Sequence, residues 1–248
     1  MKALLLILAM TAIGYTLVSL TPPVSEMSSG KVLVQRVDPR TGKEVPVFLG
    51  PGVEGQAWTP LSKVSRFFLD ALVVSEDSRF YQHFGVDFRE ILVSALTNLQ
   101  KGKYARGAST ITQQLVRLVF LTREKTILRK LREALGALVL EWVLGKDEIL
   151  EWYVNLVPLG PTTYGIAAAS QVYFNTEAEL LNVPQSILLV MVIPGPSLWT
   201  PIFQKRRLSE LGQKKFAKIA NELFASGSIT SAQYQKALAS GNFGAPVQ

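Results

Sequence analysis

Apolar residues recur at helical spacing over most of the chain. In "LSKVSRFFLDALVVSED", Leu61, Val64, Phe67, Phe68 and Leu72 keep to one face, which predicts an amphipathic helix running into Glu76 and Asp77. "DFREILVSALTNLQKG" predicts a second helix, capped by Asp87 and ending near Gly102. "GASTITQQLVRLVFL" predicts a third, opened by small and hydroxyl residues, with Thr110 and Gln113 at capping-box spacing. A fourth, "TILRKLREALGALVLEWVLG", carries an apolar stripe through Leu128, Leu131, Leu135, Leu138 and Trp142. "KDEILEWYVNLV" predicts a shorter helix stopped near Pro158. "TYGIAAASQVYF" is rich enough in small residues to pack closely, and "VPQSILLVMVI" reads as a buried helix ended by "PGP". Residues 205–238 read as two helices with polar faces.

The pattern changes towards the N-terminus. Residues 3–20 form an uncharged run close to the minimum needed to cross a bilayer as a helix. Lys2 and the amino terminus precede it, which predicts the N-terminus inside and the rest outside the cytoplasm. A cleaved signal peptide shares these hallmarks, but no small-x-small cleavage site stands out. "TPPVSEMSSG" reads as a juxtamembrane linker. "KVLVQRV" and "EVPVFL" flank the turn-forming "DPRTGK" and predict a hairpin, with Pro46 on an edge strand. No further strands are apparent, so the fold class is mainly α, built by helix-on-helix packing. The expected organisation is an anchor at 1–20, a linker and hairpin at 21–57, and a helical domain at 58–240.

Composition narrows the chemistry. The 248 residues are 48% hydrophobic, enough for one sizeable core. A formal charge of +7 and pI near 9.6 favour anionic partners such as lipid head groups or phosphorylated substrates. No basic run is interleaved with stacking aromatics, which argues against nucleic acid. The absence of cysteine excludes disulfides, thiolate metal sites and cysteine nucleophiles. A single histidine, His83, cannot supply a histidine-based metal site, and no G-x-S-x-G elbow is present.

Three features can carry a reaction. Glu76 follows "FFLDALVV", where desolvation would raise its basicity; the plainer alternative is a solvated acid at a helix end. In "RKLRE", Arg129 and Glu133 lie one turn apart with Lys130 alongside, which suits either an exposed ion pair or a cradle for phosphate. The start of "STITQQLVR" can hold an anion on free backbone N–H groups, with Arg117 two turns below Thr110. Two carboxylates, several cations and an anion-friendly helix start together suit transfer of a sugar from a phosphate leaving group. The apolar "RFFLDAL" and "LVFL" fit core packing by default, or else a face dipping into the bilayer.

"SEDSRFYQHFGVD", "RGASTITQQLVR", "RKLREA" and "KDEILEWYVNLVPLG" followed by "YGIAAASQVYF" stand in the order and spacing of four motif blocks. With them the chain, from about Trp58 to Leu238, resembles the peptidoglycan glycosyltransferase family. That family includes the N-terminal module of class A penicillin-binding proteins and the stand-alone monofunctional enzymes; no transpeptidase module follows here, so the chain resembles the monofunctional type. The resemblance implies a lysozyme-like helical fold on one membrane anchor, at the outer face of the cytoplasmic membrane. It implies polymerisation of lipid II, with the growing glycan as donor, a β-1,4 bond formed with inversion, and undecaprenyl pyrophosphate released. By resemblance Glu76 is the general base and Glu133 the second essential acid. Arg129 and Lys130 bind pyrophosphate. Ser109, Thr110, Gln113 and Gln114 lie in the block that shapes the donor site, and Asp77, Phe80 and His83 support Glu76. The family's usual Lys-Asn after "QQLV" is replaced by Arg117-Leu118, and "KKF" at 214–216 stands loosely where an Arg pair is common. A divalent cation (Mg or Mn) is permitted but not demanded. Other cell-wall synthesis proteins are conceivable partners. A glycan-cleaving enzyme of similar fold, and an inactive lipid II-binding protein, are the alternatives.

Overall fold

A computed structural model describes residues 16, 19–38, 40–51, 53, 58–102, 107–121 and 126–239. The anchor expected over 3–20 lies almost wholly outside them. Among the described residues no helix is long and apolar enough to cross a membrane.

The segment expected as a linker is packed instead. Val24–Ser29 forms a 3-10 helix whose Val24 and Met27 are fully buried. Two apolar side chains at helical spacing outweigh the loop-like composition around them. The hairpin follows as predicted: β1 (Val32–Val37) pairs antiparallel with β2 (Glu44–Leu49), with Val34 opposite Val47 and Gln35 opposite Pro46. With only two strands both are edges, so Pro46 removes no interior hydrogen bond.

The body is helical. In order come α1 (Arg66–Glu76), α2 (Phe88–Lys101), α3 (Ile111–Phe120), α4 (Ile127–Val143), α5 (Lys146–Leu156) and α6 (Ile166–Phe174). They are followed by α7 (Val183–Val192), the short α8 (Pro196–Trp199) and α9 (Pro201–Lys205), α10 (Glu210–Ala225) and α11 (Ser231–Ala239). Outside the hairpin, the described residues hold only two isolated β-bridges. Both predicted caps form. Asp87 accepts the Glu90 N–H, and Thr110 with Gln113 closes a full capping box.

Helix α7 is the axis of the larger layer. Val183 and every residue from Ser186 to Val192 are buried, with α1 and α10 packed against it. Helix α3 is the axis of the second layer, between α4, α5 and strand β1. This is the mainly helical architecture with a small two-stranded sheet that the periodicity predicts. The stretches "RFFLDAL" and "LVFL" take the core option: Phe68, Ala71 and Leu72 are fully buried, and Leu118–Leu121 pack against the core.

The apolar stripe of α4 is not its buried face. Leu128, Leu131 and Trp142 are exposed, Trp142 by 84%, whereas Glu133, Gly136, Ala137 and Leu140 are buried. Small residues explain the inversion. A Cβ on Gly136 would lie 2.7 Å from Val116 Cγ1 and equally close to Pro22 Cγ, so α3 and α4 approach closely only along this line. Helix α2 exposes Phe88, Leu92, Leu96 and Leu99 along one side and buries only Ser94.

Candidate active site

Glu76 is the last residue of α1, where the apolar run that fills the core gives out. Its Oε2 accepts a hydrogen bond from Gln114 Nε2 of α3 at 3.1 Å. Gln114 Oε1 in turn accepts from the hydroxyl of Tyr153 of α5 at 2.8 Å, and Tyr153 is fully buried. Desolvation raises the Glu76 pKa above the ordinary carboxylate value, and the neighbouring Asp77 charge adds to this. The Gln114 hydrogen bond and the positive charges of Lys215 and Arg117 oppose the rise without cancelling it.

The residues after Glu76 hold this helix end against α3. Asp77 is buried; its carboxylate accepts from His83 Nε2 at 3.0 Å and from the Ile111 N–H at 3.0 Å. The second bond satisfies one of the unpaired donors at the start of α3. Thr110 donates its hydroxyl to the Gly85 carbonyl at 2.6 Å. Gly85 has φ +67°, and a Cβ there would meet the Ala137 carbonyl oxygen at 2.6 Å, so glycine is required for this loop to lie against α4. Phe80 is fully buried, with the Lys146 ammonium 4.4 Å from its ring centre.

A second carboxylate centre sits on α4. Glu133 is 1% exposed. Arg129 Nη1 bonds its Oε1 and Lys130 Nζ bonds its Oε2 at 2.8 Å, while Lys130 also reaches Ser109 Oγ at 2.7 Å. Burial together with Arg117 and Arg129 pulls the Lys130 ammonium down to about 8, against the pull of the Glu133 carboxylate towards the charged form. Arg117 is exposed on α3, and its charge acts on both Glu76 and Lys130, so one guanidinium field spans the two centres.

Lys215 of α10 completes the cationic side. Its Nζ donates to the Met191 carbonyl at 3.0 Å and lies 5.1 Å from the Trp199 ring centre, with Glu76 favouring its charge. Among the described residues no three His, Cys, Asp or Glu side chains cluster as metal ligands. Both Glu133 oxygens are taken by cations, so this carboxylate is not free to hold a divalent ion.

The structure therefore sorts the expected residues. Gln114 and Arg117 gather on Glu76, and Glu133, Arg129, Lys130 and Ser109 make a second, cationic cluster. Thr110 and Gln113, expected in the block that shapes the donor site, and Asp77 and Phe80, expected to support Glu76, are all buried; the three polar ones are hydrogen-bonded within the protein, and His83 bonds Asp77. Gln114 meets Glu76 rather than the Lys130 cluster. Tyr153 was missed, because in "EWYVN" it reads as core. Lys215 carried a faint signal in "KKF" at 214–216. Glu151 and Asn155 of the same motif face away from Tyr153: Glu151 takes the Trp58 indole and Leu61 N–H at 2.8 Å each, and Asn155 pairs with both backbone groups of Thr59.

The transglycosylase family model matches residues 43–222. The chain is 34% identical over 187 residues to penicillin-binding protein 1A of Aquifex aeolicus, covering 75% of this chain and 25% of that protein. It is 39% identical over 175 residues to penicillin-binding protein 1B of Haemophilus influenzae, covering 68% and 22%. It thus spans a quarter or less of the length of these relatives. The crystal structure of Haemophilus influenzae penicillin-binding protein 1A overlays with a TM-score of 0.44 at 18% identity, covering 88% of this chain and 22% of that one, too loose to carry an argument. The family match across most of the chain, together with identities above one third, places this protein in the transglycosylase family.

Proposed function

We propose that the protein is a peptidoglycan glycosyltransferase that polymerises lipid II into glycan strands. The observation that carries this reading is the pairing of a desolvated, singly hydrogen-bonded Glu76 with a cluster of cations gathered on Glu133, both within the field of Arg117. Glu76 removes the proton from the acceptor's sugar 4-hydroxyl as its oxygen attacks the donor's anomeric carbon. The bond from that carbon to the pyrophosphate oxygen breaks on the opposite face, which gives inversion, and the proton stays on Glu76. Arg129, Lys130 and Arg117 bear the charge of the departing pyrophosphate.

Glu133 acts in this scheme as the fixed counter-charge that holds Arg129 and Lys130 together. A glycan-cleaving enzyme acting on a neutral bond has no use for such a cluster. The exposed apolar side of α2 and the exposed Leu128, Leu131 and Trp142 of α4 support a location against a lipid surface, where a lipid-linked substrate enters. The lysozyme-like character of the helical body, and an N-terminal anchor that places it on the outer face of the cytoplasmic membrane, belong to the same proposal. So do the expected domain limits.

The purified full chain is tested on lipid II and on polymeric peptidoglycan in separate reactions, each without added divalent metal, with Glu76→Gln as control. Consumption of lipid II alone, with products longer than the disaccharide unit, is expected. Consumption of the polymer instead would replace the proposal with glycan cleavage. Binding of lipid II without turnover would replace it with an inactive receptor.

A further inference from the structure

We infer that Tyr153 is a positioning residue for the reaction, acting on Glu76 through Gln114. This deepens the proposed function and rests on Glu76 being the base. The relay crosses three elements: the Tyr153 hydroxyl of α5, the Gln114 amide of α3 and the Glu76 carboxylate at the end of α1, at 2.8 and 3.1 Å.

The relay has a direction. The amide of Gln114 can present its oxygen or its nitrogen to Glu76, and only the nitrogen is attractive to a carboxylate. Tyr153 selects that orientation by donating its proton to Oε1. Burial also raises the hydroxyl pKa well above its ordinary value, so it remains a donor throughout the neutral range. The amide is thereby locked with Nε2 on Glu76 Oε2. Oε1 of Glu76, which has no hydrogen bond among the described residues, is left to take the substrate proton. The phenol, itself fully buried, keeps water out of the relay. Its benefit is orientation: a base carboxylate at a helix end has freedom to rotate, and fixing one oxygen aims the other.

The surroundings of Glu76 determine what else could mimic this effect. Arg117 faces it from α3, Lys215 from α10, and Asp77 adjoins it in sequence. Helix α7, the remaining neighbour of α1, contributes no titratable side chain. Tyr153→Phe leaves each of these charges in place, so it isolates the relay.

The test measures lipid II polymerisation by the full chain for Tyr153→Phe, Gln114→Ala and the double variant, over a range of pH. Tyr153→Phe is expected to lower kcat about tenfold with KM within about twofold, and to move the acidic limb of kcat to higher pH, because a weakened hydrogen bond to the carboxylate raises its pKa. Added to Gln114→Ala, it is expected to cost no more, since the relay is already cut. A 3-fluorotyrosine at 153 keeps the ring and sharpens the donor, and should move the limb to lower pH; it also serves if the Phe variant does not fold. A wild-type kcat and limb in Tyr153→Phe, or a full additional loss in the double variant, would overturn the relay. Loss of activity in Glu76→Gln beside a wild-type Tyr153→Phe would sink the relay alone, whereas an active Glu76→Gln would sink the underlying reading of the base.

Discussion

Two glutamates one helix-packing layer apart have opposite surroundings. Glu76 meets a neutral amide at contact distance and feels its cations from further off, so desolvation dominates and its pKa rises. Glu133 is more deeply buried, yet each of its oxygens contacts a cation. A carboxylate without a contacting countercharge is a proton acceptor; one saturated by Arg129 and Lys130 is an anchor for positive charge. Burial alone does not assign a role. The partner at contact distance does.

The sharpest way to break this comparison is to neutralise each acid in turn. Glu76→Gln is expected to lower kcat by about 10²–10⁴ while the melting temperature stays within a few degrees of wild type, since the charge removed was poorly solvated. Glu133→Gln should act differently, losing activity and also about 1–3 kcal/mol of stability, because it strips the shared partner from Arg129 and Lys130; the partial exposure of Lys130 keeps the figure below that of a fully buried pair. Thermal melts and single-turnover assays on both variants check this. Equal stability losses would mean that the two acids are held alike.

The pH profile sharpens the same contrast from the solution side. In the proposed reaction Glu76 must be ionised to act as a base, and its pKa is raised, so kcat/KM should fall on the acid side at a pH above the ordinary carboxylate range. In the same proposal Lys130 must be protonated to hold phosphate, and its pKa is lowered to about 8, so kcat/KM should fall again as pH rises through that value. Bound pyrophosphate favours charged Lys130, so the alkaline limb of kcat should lie higher than that of kcat/KM. Lys130→Arg should move the alkaline limb to higher pH and leave the acid limb in place.

Much of this was legible in the sequence, and the gaps have physical causes. Thr110 and Gln113, Asp87, the hairpin and the buried run of α7 were readable because each depends on residues a few positions apart. Glu76 was readable because the apolar run leading into it predicts desolvation. The Tyr153–Gln114 bond joins residues 39 apart, and no local pattern encodes it. The segment around Val24 and Met27 was hidden by its Pro and Ser content. The buried face of α4 was misleading for a subtler reason. Counting large apolar residues favours the Leu128–Trp142 stripe, but close packing is set by Gly136 and Ala137, and burial of Glu133 is made tolerable by cations that the hydropathy pattern counts as surface.

That inversion yields the mildest pair of expectations, both on α4. Gly136→Ala adds one methyl group where Val116 and Pro22 already lie at 2.7 Å, so α3 and α4 must separate; a loss of about 1–3 kcal/mol is expected. Trp142→Ala removes the largest side chain on the helix, yet its 84% exposure predicts a change within about 0.5 kcal/mol in aqueous buffer. Chemical denaturation of the two variants side by side measures both. If the tryptophan proves the costlier loss, then the stripe rather than the glycine line is the packed face. Glu133 would then be turned outward, and its pairing with Arg129 and Lys130 would become the ordinary surface ion pair that the sequence first allowed.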